Sequence, residues 1–219
     1  MTNLAKGAIA ASSLGTVTTG AYVGSIYLSD NPTISDHLTK SNYKLISSIS
    51  NKDHSQLQWE TEFESDKDKI KTLIGFAEED KKKGGEALEK WCSSKLKESY
   101  SEDHKDLEGI KSYCVIRDIS SQLKRKGKSV LADSDGKWTQ TYNKRKDTPK
   151  RSPRSQIAEL TGEWNSGSGS SPTETEDLIK IKKWCKSKSQ AYFYAHEQIY
   201  DQVYNWCTED GANVAEVTG

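Results

Sequence analysis

The sequence predicts a mainly α-helical protein, with an N-terminal membrane segment followed by two duplicated helical modules, each closed by a disulfide. Three features predict this fold class: an uncharged run near the N-terminus, an aromatic–cysteine pattern that occurs in two copies, and apolar residues at helical intervals. Only 33% of the 219 residues are hydrophobic. Such a polar chain can bury only a small hydrophobic core, and proteins with small cores commonly gain stability from cross-links.

The first element is the run GAIAASSLGTVTTGAYVGSIYL at residues 7–28, which carries no charge. A helix of this length is long enough to cross a bilayer whose hydrocarbon core is about 30 Å thick. Lys6 precedes the run and Asp30 follows it, so the positive-inside rule places residues 30–219 outside the cell. We therefore expect residues 1–29 to be a single-pass cell-membrane anchor and residues 30–42 to be a spacer. A cleaved signal segment and a buried Ala/Gly-rich helix are the alternatives.

The second element is a duplication built around the cysteines. WCSSK at residues 91–95 returns as WCKSK at residues 184–188. A second cysteine follows 22 residues after the first in each copy, and an aromatic residue precedes all four. The four aromatic–cysteine pairs are Trp91–Cys92, Tyr113–Cys114, Trp184–Cys185 and Trp206–Cys207. This regularity predicts two related modules rather than a chance match.

The equal spacing favours the disulfides Cys92–Cys114 and Cys185–Cys207, with pairing across the modules as the alternative. A straight helix of that length would hold its cysteines about 33 Å apart, so each segment must turn, near residues 101–104 and 195–197. The neighbouring aromatics are expected to pack over the disulfides. A metal site that combines these cysteines with His104 and His196 is less favoured, because the short Cys-x-x-Cys spacing is absent. We therefore predict no metal and no cofactor.

The duplication extends upstream, where Trp59 and Phe63 correspond to Trp138 and Tyr142 at the same i, i+4 spacing. The interval from the tryptophan to the first cysteine is 33 residues in the first copy and 47 in the second. About 14 extra residues therefore lie in the second module, in the basic stretch 144–154 or the Gly/Ser-rich stretch 162–172. The predicted modules are residues 43–121 and residues 122–219.

The charged residues are balanced in number but not evenly distributed along the chain. The chain has 32 basic and 32 acidic residues, so its net charge gives no reason to predict specific nucleic-acid binding. Basic residues are concentrated at 123–128 and at six positions: Lys144, Arg145, Lys146, Lys150, Arg151 and Arg154. This pattern is typical either of a contact for acidic glycans, anionic lipid or nucleic acid, or of a solvated linker.

The Gly/Ala/Thr-rich N-terminal segment and the motifs LEKWC, SYC, IKKWC and NWC together resemble a family of proteins from hemotropic mycoplasmas. These are paralogous, uncharacterised proteins of wall-less bacteria that live on red blood cells. The resemblance implies display at the surface or envelope, with host attachment and antigenic variation as suspected roles. It supplies no catalytic residue.

The sequence thus predicts a membrane-anchored, outward-facing protein for host-surface attachment or antigenic display, with no enzymatic activity. The alternatives are a self-associating envelope scaffold and an extracellular enzyme such as a nuclease. No P-loop, GxSxG or HExxH motif supports the enzyme alternative.

Overall fold

The hydrophobic core of the first module begins nearer to the N-terminus than the sequence predicts. The computed structural model describes residues 32–146, 157 and 174–213. Within them the chain forms nine α-helices, two 3₁₀ turns and no strand longer than an isolated bridge. The α-helices are Ile34–Lys40 (α1), Lys52–Ser65 (α2), Lys67–Ile74 (α3), Lys81–Lys95 (α4), Leu107–Tyr113 (α5), Ile119–Arg125 (α6), Lys137–Lys146 (α7), Glu174–Ser189 (α8) and Ile199–Cys207 (α9).

The predicted membrane segment at residues 7–28 lies outside the described residues. Among the helices that the structure does describe, none combines the length and the apolar character needed to span a bilayer. The Gly/Ser-rich stretch 162–172 also lies outside them.

Helix α1 lies where a spacer was expected. Thr33 begins it with a capping box, since its hydroxyl accepts from the backbone N–H of Asp36 and the Asp36 carboxylate accepts from the backbone N–H of Thr33. Ile34 and Leu38, one helical turn apart, are fully buried in the first core. The sequence of this stretch is mostly polar because only these two positions face inward. Since both lie in the first core, the helix belongs to the first module.

Helices α2 and α4 form the centre of the first module. Trp59 and Phe63, the predicted i, i+4 pair on α2, are both buried against α4. Gly84 and Gly85 allow the approach: a Cβ at Gly84 would overlap the ring of Phe63, and one at Gly85 would lie 2.9 Å from the backbone nitrogen of Glu60. Close packing of α2 against α4 therefore buries surface in a sequence that has few large apolar side chains.

The second module is built around a separate hydrophobic core. Helix α6 corresponds to α1, because Ile119 and Leu123 are buried like Ile34 and Leu38, 85 residues earlier. The boundary predicted at residues 121–122 falls inside α6. The aromatic–cysteine pattern could not reveal this, because the repeat begins with a short helix far from either cysteine.

Backbone hydrogen bonds show that the two copies share one fold. In the first copy the N–H of Ile34 donates to the carbonyl of Glu98, and the N–H of Ile46 to that of Cys114. The second copy repeats both bonds, from Ile119 to Ala191 and from Leu131 to Cys207. The turn after α1 has a positive φ of 63° at Asn42, and the turn after α6 has 70° at Gly127. Asparagine and glycine are the residues that adopt this conformation most readily.

The Phe63–Gly84 contact has a chemically different counterpart in the second copy. Tyr142 replaces Phe63, and Asp177 stands where Gly84 does. The Tyr142 hydroxyl donates to the buried Asp177 carboxylate over 2.7 Å. The hydroxyl that distinguishes Tyr142 from Phe63 is thus paired with Asp177, an acceptor that the first copy lacks. This is expected if the two copies diverged from one structure.

The second copy is followed by a 3₁₀ turn, Asp210–Asn213 (η2). This turn packs on α7 and α9. Gly211 is buried there, and its N–H donates to the Thr208 hydroxyl over 3.0 Å. A Cβ on Gly211 would overlap the carbonyl oxygen of Tyr204, so glycine is required for this contact.

Replacing Gly211 with alanine is expected to lower the free energy of unfolding by about 1–3 kcal/mol, because the backbones of η2 and α9 must move apart. Urea denaturation would measure the change. Gly136→Ala is the matched control, since a Cβ at Gly136 meets nothing within 4 Å. Equal stability of the two variants would contradict the role given to Gly211.

Candidate functional site

The two disulfides lie at the centres of the two cores. They join Cys92 to Cys114 and Cys185 to Cys207, the pairs that the equal spacing predicts. The Cα atoms are 5.6 Å apart in both, and all four cysteines are at most 1% exposed. The chain turns between α4 and α5 and between α8 and α9, as each pairing requires. With their sulfurs bonded to one another, these cysteines are not metal ligands.

The aromatics beside the cysteines contribute to the cores to different degrees. Tyr113, Trp184 and Trp206 are buried, whereas Trp91 is half-buried against the first core. The Tyr113 hydroxyl donates to Asp66 over 2.9 Å. Burial, followed by this hydrogen bond, raises the pKa of Tyr113 to about 12. All four aromatics therefore lie in, or pack against, one of the two hydrophobic cores.

A buried ionic cluster joins the two modules. Glu62 on α2 is 1% exposed and accepts from the guanidinium groups of Arg117 and Arg125. Both arginines also donate to the Ser112 carbonyl, over 2.8 and 3.1 Å. Burial raises the pKa of the Glu62 carboxyl, and the two guanidiniums oppose that shift. Burial also lowers the pKa of Arg117, again opposed by its partner.

Two further residues on the same face of α2 contact the second module. The buried Gln58 amide donates to the Phe193 carbonyl over 3.2 Å and accepts from the Ala195 N–H over 2.7 Å. His54, one turn earlier, stacks on His196 with 3.7 Å between ring centroids. The spacing of His54, Gln58 and Glu62 places all three on one side of the helix. This polar stripe forms part of the inter-module contact, and the sequence pattern does not reveal it.

The structure describes only three of the six residues of the predicted basic contact. Lys144 is exposed near the end of α7, and its Nζ donates to Asn213 over 3.2 Å. Arg145 and Lys146 complete α7, while Lys150, Arg151 and Arg154 lie outside the described residues.

The other basic stretch, 123–128, is largely engaged within the fold. Arg125 belongs to the ionic cluster, and Lys126 lies over the ring of Tyr200, 5.2 Å from its centroid. Lys128 pairs with Asp210 over 2.9 Å. Three of the four basic residues in this stretch therefore have a partner within the fold, while Lys124 is exposed.

Two carboxylates and a histidine in the first module have the composition of a metal site. Glu98, His104 and Asp106 have ligand atoms within 4.8 Å of one another. Lys95 already pairs with Glu98 over 2.9 Å and with Asp106 over 2.7 Å, and His104 contacts Glu98 over 2.8 Å. Hydrogen bonds from Lys95 lower the pKa of both carboxyls. The lysine ammonium thus takes the place that a cation would occupy.

Comparison of the chain with family models, with curated proteins and with solved structures finds no match.

Proposed function

We propose that this chain is exported and held at the cell membrane by residues 7–28, with residues 30–219 displayed outside. There it contacts host-cell surfaces that carry acidic glycans. The observation that carries the proposal is the pair of disulfides, one at the centre of each hydrophobic core. Structural disulfides form and persist in oxidising compartments, and small, polar secreted proteins depend on them for stability.

The exposed Lys144 supports a cationic contact. Its ammonium bonds to the neutral amide of Asn213 and forms no ion pair with a carboxylate of the described residues. Arg145 and Lys146 follow directly on the same helix, and three more basic residues follow by position 154. Since three of the four basic residues in the stretch 123–128 have partners within the fold, we assign the proposed contact to residues 144–154.

Replacing Lys144, Arg145, Lys146, Lys150, Arg151 and Arg154 with glutamine is expected to abolish binding to red cells or to immobilised acidic glycans. Exposed charges carry this contact, so the parent should also lose binding between 0.1 and 1 M salt, as the Debye length falls from about 10 to about 3 Å. Retained cell binding by an intact helical protein would leave antigenic display or a scaffold role.

A matched control removes the same number of charges elsewhere. It changes six exposed lysines of the first module to glutamine: Lys52, Lys69, Lys82, Lys90, Lys97 and Lys105. Glutamine is used in both variants because its helix propensity is close to that of lysine. The control should bind cells as the parent does. Equal loss in both variants would mean that net charge, rather than the 144–154 segment, determines adhesion.

A further inference from the structure

Two of the four histidines in the chain face each other across the contact between the modules. The imidazole rings of His54, on α2, and His196, between α8 and α9, are 3.7 Å apart between centroids and 13° from parallel. His54 is half-buried, and the His196 side chain is 24% exposed. The ring faces therefore cover each other, while the partial exposure lets protons from solvent reach the pair.

The repeat itself does not require this pair. Asp133 stands in the second copy where His54 stands in the first, and Asp103 stands in the first copy where His196 stands in the second. The corresponding position in the other copy is thus occupied by a different residue type in both cases. The histidine stack is a property of the contact between the modules and not of the fold of either one.

The stability of the stack depends on the charge of the two rings. Neutral aromatic rings stack favourably, whereas two imidazolium cations at this distance repel each other. His54 is also the third residue of α2, following the N-cap Asn51 and then Lys52 and Asp53. The positive end of the helix dipole disfavours a cation in this first turn. A proton on His54 is therefore opposed by its own helix as well as by a protonated His196.

The other charged and titratable groups around the pair balance one proton but not two. A carboxylate oxygen of Glu197 lies 4.0 Å from Nε2 of His196, so one imidazolium has a counter-charge. Tyr194 lies 5.6 Å from His196 between ring centroids, and the Lys44 ammonium, a further positive charge, lies 5.2 Å from the Tyr194 centroid. Within the described residues, no carboxylate lies within 4.0 Å of His54 to balance the second proton.

We propose that this histidine pair is a pH switch that weakens the contact between the modules as the solution becomes acidic. Separated rings can both be charged, so the separated arrangement binds more protons than the stacked one. Lowering the pH therefore favours separation, by up to about tenfold per pH unit for each additional proton bound. The stack is fully present while both rings are neutral and is lost as pH falls through the range in which imidazoles titrate, between about pH 8 and 5.

Each module has its own core and its own disulfide, so the two can separate while each stays folded. The inference depends on the fold alone and is independent of export and of attachment to host cells.

One hydrogen bond reports directly on this contact. The backbone N–H of Ala195 donates to the side-chain oxygen of Gln58, on α2, over 2.7 Å, and it joins the two modules. The backbone N–H of Ile46 donates to the carbonyl of Cys114 over 3.0 Å within the first module. Exchange of the Ala195 amide therefore measures separation of the modules, and exchange of the Ile46 amide measures unfolding of the first one.

The test is amide hydrogen exchange of the full-length protein by NMR at about pH 7.5 and about pH 5, expressed as protection factors that correct for the intrinsic exchange rate. In the parent, the protection factor of the Ala195 amide should be at least about tenfold lower at the acidic pH, while that of Ile46 is unchanged. His54→Phe keeps an aromatic ring in the stack but removes its proton, so the pH dependence at Ala195 should disappear. His196→Phe should remove it through the other ring.

His37→Phe is the matched control, because His37 stacks on Tyr100 within the first module, with 3.5 Å between ring centroids. This variant should keep the pH dependence of the parent. Equal protection of the Ala195 amide at both pH values in the parent would overturn the proposal. A pH dependence that persists in both variants of the pair would overturn it as well, since it would then belong to Glu62, whose carboxyl has a pKa raised by burial.

Discussion

Replacing Cys185 and Cys207 together with alanine is expected to lower the free energy of unfolding by about 3 kcal/mol, through the added entropy of an unfolded chain without its cross-link. Replacing Cys92 and Cys114 should have an effect of similar size, because both disulfides close a sequence separation of 22 residues. Both cysteine pairs are buried, so alanine is chosen to avoid placing a hydroxyl in an apolar core.

Urea denaturation of the two variants and the parent, each with and without reductant, would measure this. Reductant should destabilise the parent by more than either variant and should leave a variant lacking all four cysteines unchanged. A loss below about 1 kcal/mol in both double variants would contradict the view that each thin core depends on its cross-link.

Replacing Glu62 with alanine is expected to lower the free energy of unfolding by about 3–5 kcal/mol, because it leaves the charges of Arg117 and Arg125 buried without their partner. The side chains of these arginines are only 9% and 16% exposed. The inter-module contact should weaken most, so limited proteolysis near α6 should accelerate in the variant.

Two controls separate charge burial from loss of a side chain. Glu78→Ala removes a surface ion pair with Lys83, in which the glutamate side chain is 55% exposed and the lysine side chain 60%. This variant should change the free energy of unfolding by less than about 1 kcal/mol. Replacing Glu62, Arg117 and Arg125 together with apolar residues of similar volume should restore most of the lost stability. If the single Glu62 variant is as stable as the Glu78 variant, the cluster does not join the modules.

The sequence revealed those parts of the fold that repeat in residue type. The four aromatic–cysteine pairs identify the duplication, and Trp59 with Phe63 identifies the central helix of the first module. Helices α1 and α6 were missed because each is short and shows one inward pair, Ile34 with Leu38 and Ile119 with Leu123. Such pairs are too brief to distinguish a helix from a polar connection.

The inter-module contact could not be predicted for a different reason. Glu62, Arg117 and Arg125 have the composition of a solvated surface, and their burial follows from the packing of the second module on α2. A duplication search does not find them either, because Thr141 occupies the place of Glu62 in the second copy. Charged residues at such contacts are recognised only once the long-range pairing is known.

The two copies of the Trp-Cys-x-Ser-Lys motif show the converse. The sequence supplied the motif and its two copies, but the difference between Lys95 and Lys188 depends on which side chains face each lysine. Glu98 and Asp106 approach Lys95 through the turn between α4 and α5, and that turn is a property of the fold. The sequence motif alone therefore does not show that Lys95 is paired with two carboxylates within the fold.

We propose an exported protein of two repeats, each closed by its own disulfide. The most direct test is non-reducing peptide mapping of protein taken from cells under alkylating conditions. The account predicts peptides that contain Cys92 joined to Cys114 and Cys185 joined to Cys207. Four alkylated, free thiols in the freshly isolated protein would contradict both the cross-links and the location outside the cytoplasm.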